Sequence, residues 1–211
     1  MDSLPLPAPA EIHVWLNSLC ISGGELALLD PRERERAARF HFVKHRDAFI
    51  ASHAWLRTLL GRYLGADPAA VEFTFGKHGK PSIEGSPLRF NLSHSGGIAA
   101  CAVTRGSEVG IDIELIRPIP DLENVARRSF HPEEYCQLLA LDERGRTAAF
   151  FRSWTRKEAY VKGLGDGLFA PLEPPPADWS LIDLDAGPDY AGAVAVHGRD
   201  WVVLSRRGEP F

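Results

Sequence analysis

Two short segments of this 211-residue sequence hold the residue types that hard-cation and phosphate chemistry requires. In Val109-Gly110-Ile111-Asp112-Ile113-Glu114-Leu115 the branched and apolar residues take the odd positions, so an extended chain puts Gly110, Asp112 and Glu114 on the other face. Residues two apart on a strand are ~6.6 Å apart at Cα, which lets both carboxylates reach one cation by oxygen ligation. In Trp154-Thr155-Arg156-Lys157-Glu158-Ala159-Tyr160-Val161-Lys162 the spacing of four lines up Trp154, Glu158 and Lys162 on one helical face. A helix carboxylate meeting the strand pair completes a magnesium site, with water and phosphate oxygens filling the octahedron. Each segment also has a plainer explanation. Alternation alone gives a strand with a solvated polar face, and Glu158 with Lys162 is an ordinary helical ion pair beside an aromatic anchor.

Two further segments suit a phosphate-bearing ligand. Gly76-Lys77-His78-Gly79-Lys80-Pro81 combines flexible backbone with cations, and Asn91-Leu92-Ser93-His94-Ser95 reads as a loop after a short strand, offering hydroxyl, imidazole and backbone donors. A Ser-His hydrolase would need a Gly-x-Ser-x-Gly elbow, which is absent, and no Walker or Rossmann glycine pattern occurs.

The elements that must position these groups follow from periodicity. Ile12, Val14 and Leu16 alternate as a half-buried strand, and Asp30-Pro31 starts a short helix whose charged stretch Arg32 to Arg39 reads as solvated. An amphipathic helix is expected from Asp47 to a stop at Gly65. Strands are expected at Val71 to Phe75, Leu88 to Leu92, Ile98 to Val103 and Val109 to Leu115. Helices follow at Leu122 to Arg128, from Pro132, and from Thr147 to Lys162 with a stop at Gly163. After a proline-rich loop at Pro171 to Pro176 come closing strands at Trp179 to Leu184, Ala193 to Val196 and Trp201 to Leu204. The order predicts an α+β protein of two comparable halves, residues 1–107 and 108–211.

Composition narrows the class. A net charge of −4 lacks the basic field that nucleic-acid binding relies on. No apolar run approaches the ~20 residues of a bilayer-spanning helix. Three scattered cysteines and an N-terminus without a signal-peptide pattern point to a reducing cytoplasm.

Taken in order, Gly79-Lys80-Pro81, Phe90-Asn91-Leu92-Ser93-His94-Ser95, Val109 to Glu114 and Trp154 to Lys162 resemble the signatures of the 4′-phosphopantetheinyl transferases, in their double-length, monomeric class. The resemblance implies two pseudo-symmetric α/β halves with coenzyme A in the cleft between them. It assigns Asp112, Glu114 and Glu158 to magnesium, Lys162 to the pyrophosphate, and Ser93 and His94 to the neighbourhood of the 3′-phosphoadenosine. Lys80 and Arg36 match basic positions at the nucleotide end, and Gly79 and Asn91 belong to the same cofactor-binding motifs. His53 departs from the pattern, because relatives often carry arginine there. The implied reaction moves the phosphopantetheine arm to a serine of an apo acyl or peptidyl carrier protein, releasing 3′,5′-ADP. Asp112, Glu158 and Lys162 form the catalytic set, and the serine proton goes to Glu158 or to a water held by the metal. A carrier-binding module without turnover and a magnesium-dependent pyrophosphohydrolase of coenzyme A are the alternatives. Between Arg117 and Tyr135, Ile116, Ile119, Leu122 and Val125 are interleaved with Arg117, Arg127 and Arg128, which fits a docking surface for an acidic carrier and fits equally an amphipathic helix with its apolar face in the core.

Overall fold

In the computed structural model, which describes residues 3–165 and 175–207, two long helices enclose two β-sheets that share a core. The chain runs β1 (Glu11–Ser18), α1 (Glu25–Leu28), α2 (Pro31–Ala38), α3 (Val43–Leu64), β2 (Thr74–Phe75), β3 (Pro81–Ser82), β4 (Leu88–Ser95), β5 (Ile98–Arg105) and β6 (Val109–Leu115). It continues through α4 (Leu122–Ser129), α5 (Pro132–Leu139), α6 (Glu143–Leu164), β7 (Trp179–Asp183), β8 (Tyr190–His197) and β9 (Val202–Arg207). The arrangement is α+β. The first sheet has the order β4-β5-β1-β9 and the second β6-β8-β7, with β2 and β3 forming a separate hairpin.

The inner faces of the sheets meet. Ile12, Val14 and Leu16 of β1 and Ala100 and Ala102 of β5 pack with Ile111 and Ile113 of β6 and Val194 and Val196 of β8. On the outer face of the first sheet lies α3, whose Trp55, Leu56, Leu59 and Leu60 cover Trp15, Phe90 and Cys101. On the outer face of the second lies α6, where Ala159 sits against Ala193 and Ala195. Both helices have 22 residues and both end on a left-handed glycine, Gly65 and Gly165, so the halves repeat one plan.

Several expectations change for physical reasons. Strand β1 is buried on both faces, because β5 and β9 flank it and a layer covers each side. Helix α3 starts at Val43, four residues before Asp47. Helix α6 runs through Gly163, whose lack of a side chain accommodates the Trp179 ring, and stops at Gly165. The strand expected from Val71 to Phe75 shrinks to Thr74–Phe75, since Val71 and Phe73 turn into the core beneath α3 without ladder partners. The last strand, β9, pairs in parallel with β1, so the chain's end returns to the sheet of the first half. The proline-rich loop lies largely outside the described residues, at 166–174. Among the described residues, no helix is long and apolar enough to cross a membrane.

Candidate active site at the junction of the halves

The candidate site forms where β4 and β6, one from each sheet, run side by side. No backbone ladder joins them. Instead, side chains of β4 satisfy the outward N–H groups of β6: Asn91 Oδ1 accepts from Ile111 at 2.9 Å, Ser93 Oγ from Ile113 at 3.3 Å, and Ser95 Oγ from Leu115 at 3.2 Å. This rung of side chains closes a sheet edge that would otherwise carry unpaired donors. The alternation in Asn91-Leu92-Ser93-His94-Ser95 is therefore that of a strand, and the loop expected there is corrected.

The same two serines reach the carboxylates. Ser93 Oγ donates to Asp112 Oδ1 at 2.8 Å, and Ser95 Oγ donates to Glu114 Oε2 at 2.6 Å. The face holding Gly110, Asp112 and Glu114 is covered by α6, so the solvated strand face is ruled out and Asp112 is buried. Contact is this close because Gly110 has no side chain; a Cβ there would fall 2.0 Å from the Ala159 carbonyl oxygen. From α6, Lys162 Nζ donates to Asp112 Oδ1 at 2.6 Å and to Ser93 Oγ at 3.0 Å. An ammonium has three donors, so one proton of Lys162 is left for a ligand. Trp154, on the same face of α6, stacks on Phe150 in the second half's core and serves as an anchor.

Electrostatics marks the cluster as uncompensated. Burial raises the Glu158 pKa above the usual carboxylate range, and the charges of Asp112 and Glu114 add to this against the pull of Lys162. Burial also raises Glu114, with Asp112 reinforcing it and the Ser95 hydrogen bond opposing. Asp112 Oδ2 is buried without a hydrogen-bond partner. An orphaned carboxylate oxygen flanked by two reluctant carboxylates is an all-oxygen donor set that suits a hard divalent cation. Among the described residues, no three acidic, histidine or cysteine side chains stand close enough to enclose an ion, and Lys162 and the serines hydrogen-bond to oxygens of Asp112 and Glu114.

The nucleotide-end candidates divide. Arg36 of α2 lies over Phe49 at 5.2 Å and helps line a cavity of about 200 Å³ with Arg32, Phe49, His53, Phe73 and Gly79, and Asn91 reaches the same wall. The His94 ring reaches solvent, but the protein packed round it, then the charges of His53, Lys162, His45 and Arg36, lower its pKa. Lys80 points elsewhere: its Nζ donates to Glu108 at 2.7 Å and to the Gly163 carbonyl at 2.6 Å, tying the hairpin to the end of α6. The Arg117 to Tyr135 surface also changes character. Ile116, Ile119, Leu122 and Val125 pack against Phe130 and Phe150, leaving the exposed Arg127 and Arg128 as its outward feature.

Sequence reasoning missed the support beneath this cavity. Arg57 is 0% exposed and donates through Nε to Glu33 at 2.6 Å, through Nη2 to Asp30 at 2.8 Å, and through Nη1 to the Val71 carbonyl at 2.8 Å. Burial alone would raise the Glu33 pKa, but hydrogen bonds from His53, the Asp30 N–H and Arg57 outweigh it and hold the group ionised. The segment expected to be wet thus carries a buried carboxylate. The Asp30-x-x-Glu33 spacing, a capping box, was the available signal.

Comparison with known proteins agrees with this architecture. Residues 17–105 match the family model for the N-terminal part of 4′-phosphopantetheinyl transferases, and residues 108–203 match that of the 4′-phosphopantetheinyl transferase superfamily. The chain is 41% identical to the 4′-phosphopantetheinyl transferase HetI of Nostoc sp. (strain PCC 7120) over 90% of each protein. It is 32% identical to a putative 4′-phosphopantetheinyl transferase of Synechocystis sp. (strain PCC 6803), covering 87% of this chain and 76% of that protein. It is 34% identical to the transferase Sfp of Bacillus subtilis (strain 168), covering 70% and 65%. The chain belongs to the 4′-phosphopantetheinyl transferase superfamily.

Proposed function

We propose that this chain transfers the 4′-phosphopantetheine arm of coenzyme A to a serine of an apo carrier protein, using the cluster at the β4–β6 junction. The observation that carries the reading is the meeting of Asp112 and Glu114 of β6 with Glu158 and Lys162 of α6, across a junction made by Ser93 and Ser95. In this reading the serine oxygen bonds to the β-phosphorus of coenzyme A, the pyrophosphate P–O bond breaks, and 3′,5′-ADP leaves. Lys162 has a free donor for the pyrophosphate oxygens while it stays anchored on Asp112. The serine proton passes to Glu158 or to a water of the site, because a cation held by Glu158 would lower the basicity that burial and the neighbouring carboxylates otherwise raise. Asp112, Glu114 and Glu158 would hold magnesium, which supplies charge compensation for the phosphate oxygens. Arg36 and His94 hold the nucleotide end, with Asn91 shaping the wall behind them.

The test is intact-mass analysis of apo carriers of fatty acid, polyketide and nonribosomal peptide synthesis after incubation with enzyme, coenzyme A and magnesium. A mass gain of one phosphopantetheine on at least one carrier, lost when the carrier serine is changed to alanine, is the expected result. Binding without any mass gain would favour a non-catalytic module.

A further inference from the structure

One carboxylate outside the catalytic cluster is shared by two cations from different elements. Glu108, just ahead of β6, accepts from Lys80 Nζ at 2.7 Å through Oε2 and from Arg89 Nε at 3.2 Å through Oε1. Arg89 is fixed in turn, because its Nη1 donates to the carbonyls of Ser86 at 3.0 Å and Leu88 at 3.1 Å. It stands two residues before Asn91, and so extends the series Asn91, Ser93 and Ser95 by which β4 fastens β6. Lys80 spends a second proton on the Gly163 carbonyl at 2.6 Å. Burial works against its charge and lowers its pKa, while Glu108 opposes that and keeps the ammonium in place.

What Lys80 holds is the backbone next to Lys162. Gly163 follows Lys162 directly, in the last turn of a helix that stops at Gly165. Carbonyls of a last turn lack intrahelical donors, and a glycine within it weakens the turn, so this end of α6 needs an outside partner. Lys80 supplies one, with a cation at the negative end of the helix dipole. Its stem also crosses the stop, since a Cβ on Gly165 would lie 3.2 Å from Lys80 Cδ. Gly163 meets β6 as well: a Cβ on it would fall 3.3 Å from the Gly110 nitrogen. The Lys162 stem is four flexible methylenes, so its ammonium is placed only as well as the turn that carries it.

We propose that Glu108 and Lys80, braced by Arg89, are positioning residues for Lys162: they fix the last turn of α6 from the other half of the chain and so hold the Lys162 ammonium where the pyrophosphate of coenzyme A reacts. The inference rests on the transfer reading above. It makes Lys80 a support of the rate of reaction rather than of coenzyme A affinity, which separates it from a phosphate ligand.

The test compares Lys80→Met, Glu108→Gln and the double variant with wild type, each shown to be folded by circular dichroism. Transfer kcat is measured at saturating coenzyme A and carrier, coenzyme A affinity by calorimetry, and hydrogen exchange on peptides covering residues 158–165. Lys80→Met is expected to lower kcat about tenfold and Glu108→Gln about threefold or more, with coenzyme A affinity within about twofold of wild type. The double variant should be no slower than Lys80→Met alone, because both act through one contact. Exchange at the end of α6 should quicken in all three. Unchanged kcat, a loss of coenzyme A affinity as large as the loss of kcat, wild-type exchange at 158–165, or singles whose effects multiply in full would each overturn the proposal and leave the transfer reading intact. Absence of transfer by the wild type would overturn that reading instead.

Discussion

Replacing Gly110 by alanine should separate the two halves of the catalytic cluster. The new Cβ would lie 2.0 Å from the Ala159 oxygen and 2.3 Å from the Gly163 nitrogen, both backbone atoms of α6. Ordinary contact begins at 3.4 Å, so helix and strand must part by about 1.4 Å. No flexible side chain is available to absorb the shift. Lys162 Nζ and Asp112 Oδ1, now 2.6 Å apart, would then lie beyond hydrogen-bond reach. A displacement of ~1 Å at reacting groups costs on the order of a hundredfold in rate. Overpacking of this kind destabilises by ~1–3 kcal/mol, or roughly 3–10 °C in Tm for a domain of this size. The assay is kcat at saturating coenzyme A and carrier, beside thermal melting by circular dichroism. Gly76→Ala is the control, because its φ is not positive and its Cβ would meet only the Lys80 oxygen at 3.8 Å. Full kcat and an unchanged Tm in Gly110→Ala would refute the claim that this backbone contact sets the site.

Arg57→Met should destabilise by ~3–5 kcal/mol in urea unfolding, because it strands Asp30 and the buried Glu33 without their cation. His13 should make stability fall on acidification. Its Nδ1 is hydrogen-bonded to Tyr63 Oη, which accepts from Trp15 Nε1, and burial and then Arg206 lower its pKa. The unfolded chain binds the proton first, so this contribution is full above the ordinary histidine pKa of 6.5 and is lost as pH falls from there through the lowered folded pKa. His13→Gln should flatten the dependence of the urea midpoint between pH 5 and pH 7. Arg127→Glu with Arg128→Glu should slow transfer to an acidic carrier at low salt. The deficit should shrink as salt is added, with coenzyme A affinity unchanged.

The candidate site residues are legible because their signal is local. Period two in Val109 to Leu115 and period four in Trp154 to Lys162 each place side chains on a face, whatever that face meets. What the faces meet is not local. That Asp112 is buried rather than solvated depends on Gly110 admitting α6, a contact between residues about fifty positions apart. Asn91, Ser93 and Ser95 look like a polar loop until β6 supplies the N–H groups that they accept from. Lys80, a cation in a glycine turn, matches a phosphate ligand by type but is held by Glu108 and the Gly163 carbonyl. Arg57 lies on the face of α3 that reads as core, and its partners come from α2 and the loop after α3, far from it in sequence. The return of β9 to β1 has no sequence signal at all, because a short exposed strand fits either sheet by pattern.

Release of 3′,5′-ADP from coenzyme A, followed with and without an apo carrier, tests the central claim most directly. Transfer predicts release only when the carrier is present, in equal amount to the modified serine. It also predicts that Asp112→Asn and Lys162→Ala, shown to be folded, lower that release by about a hundredfold or more. Release at the wild-type rate without carrier would make the enzyme a hydrolase of coenzyme A, and full release by either variant would remove the β4–β6 junction as the site of the reaction.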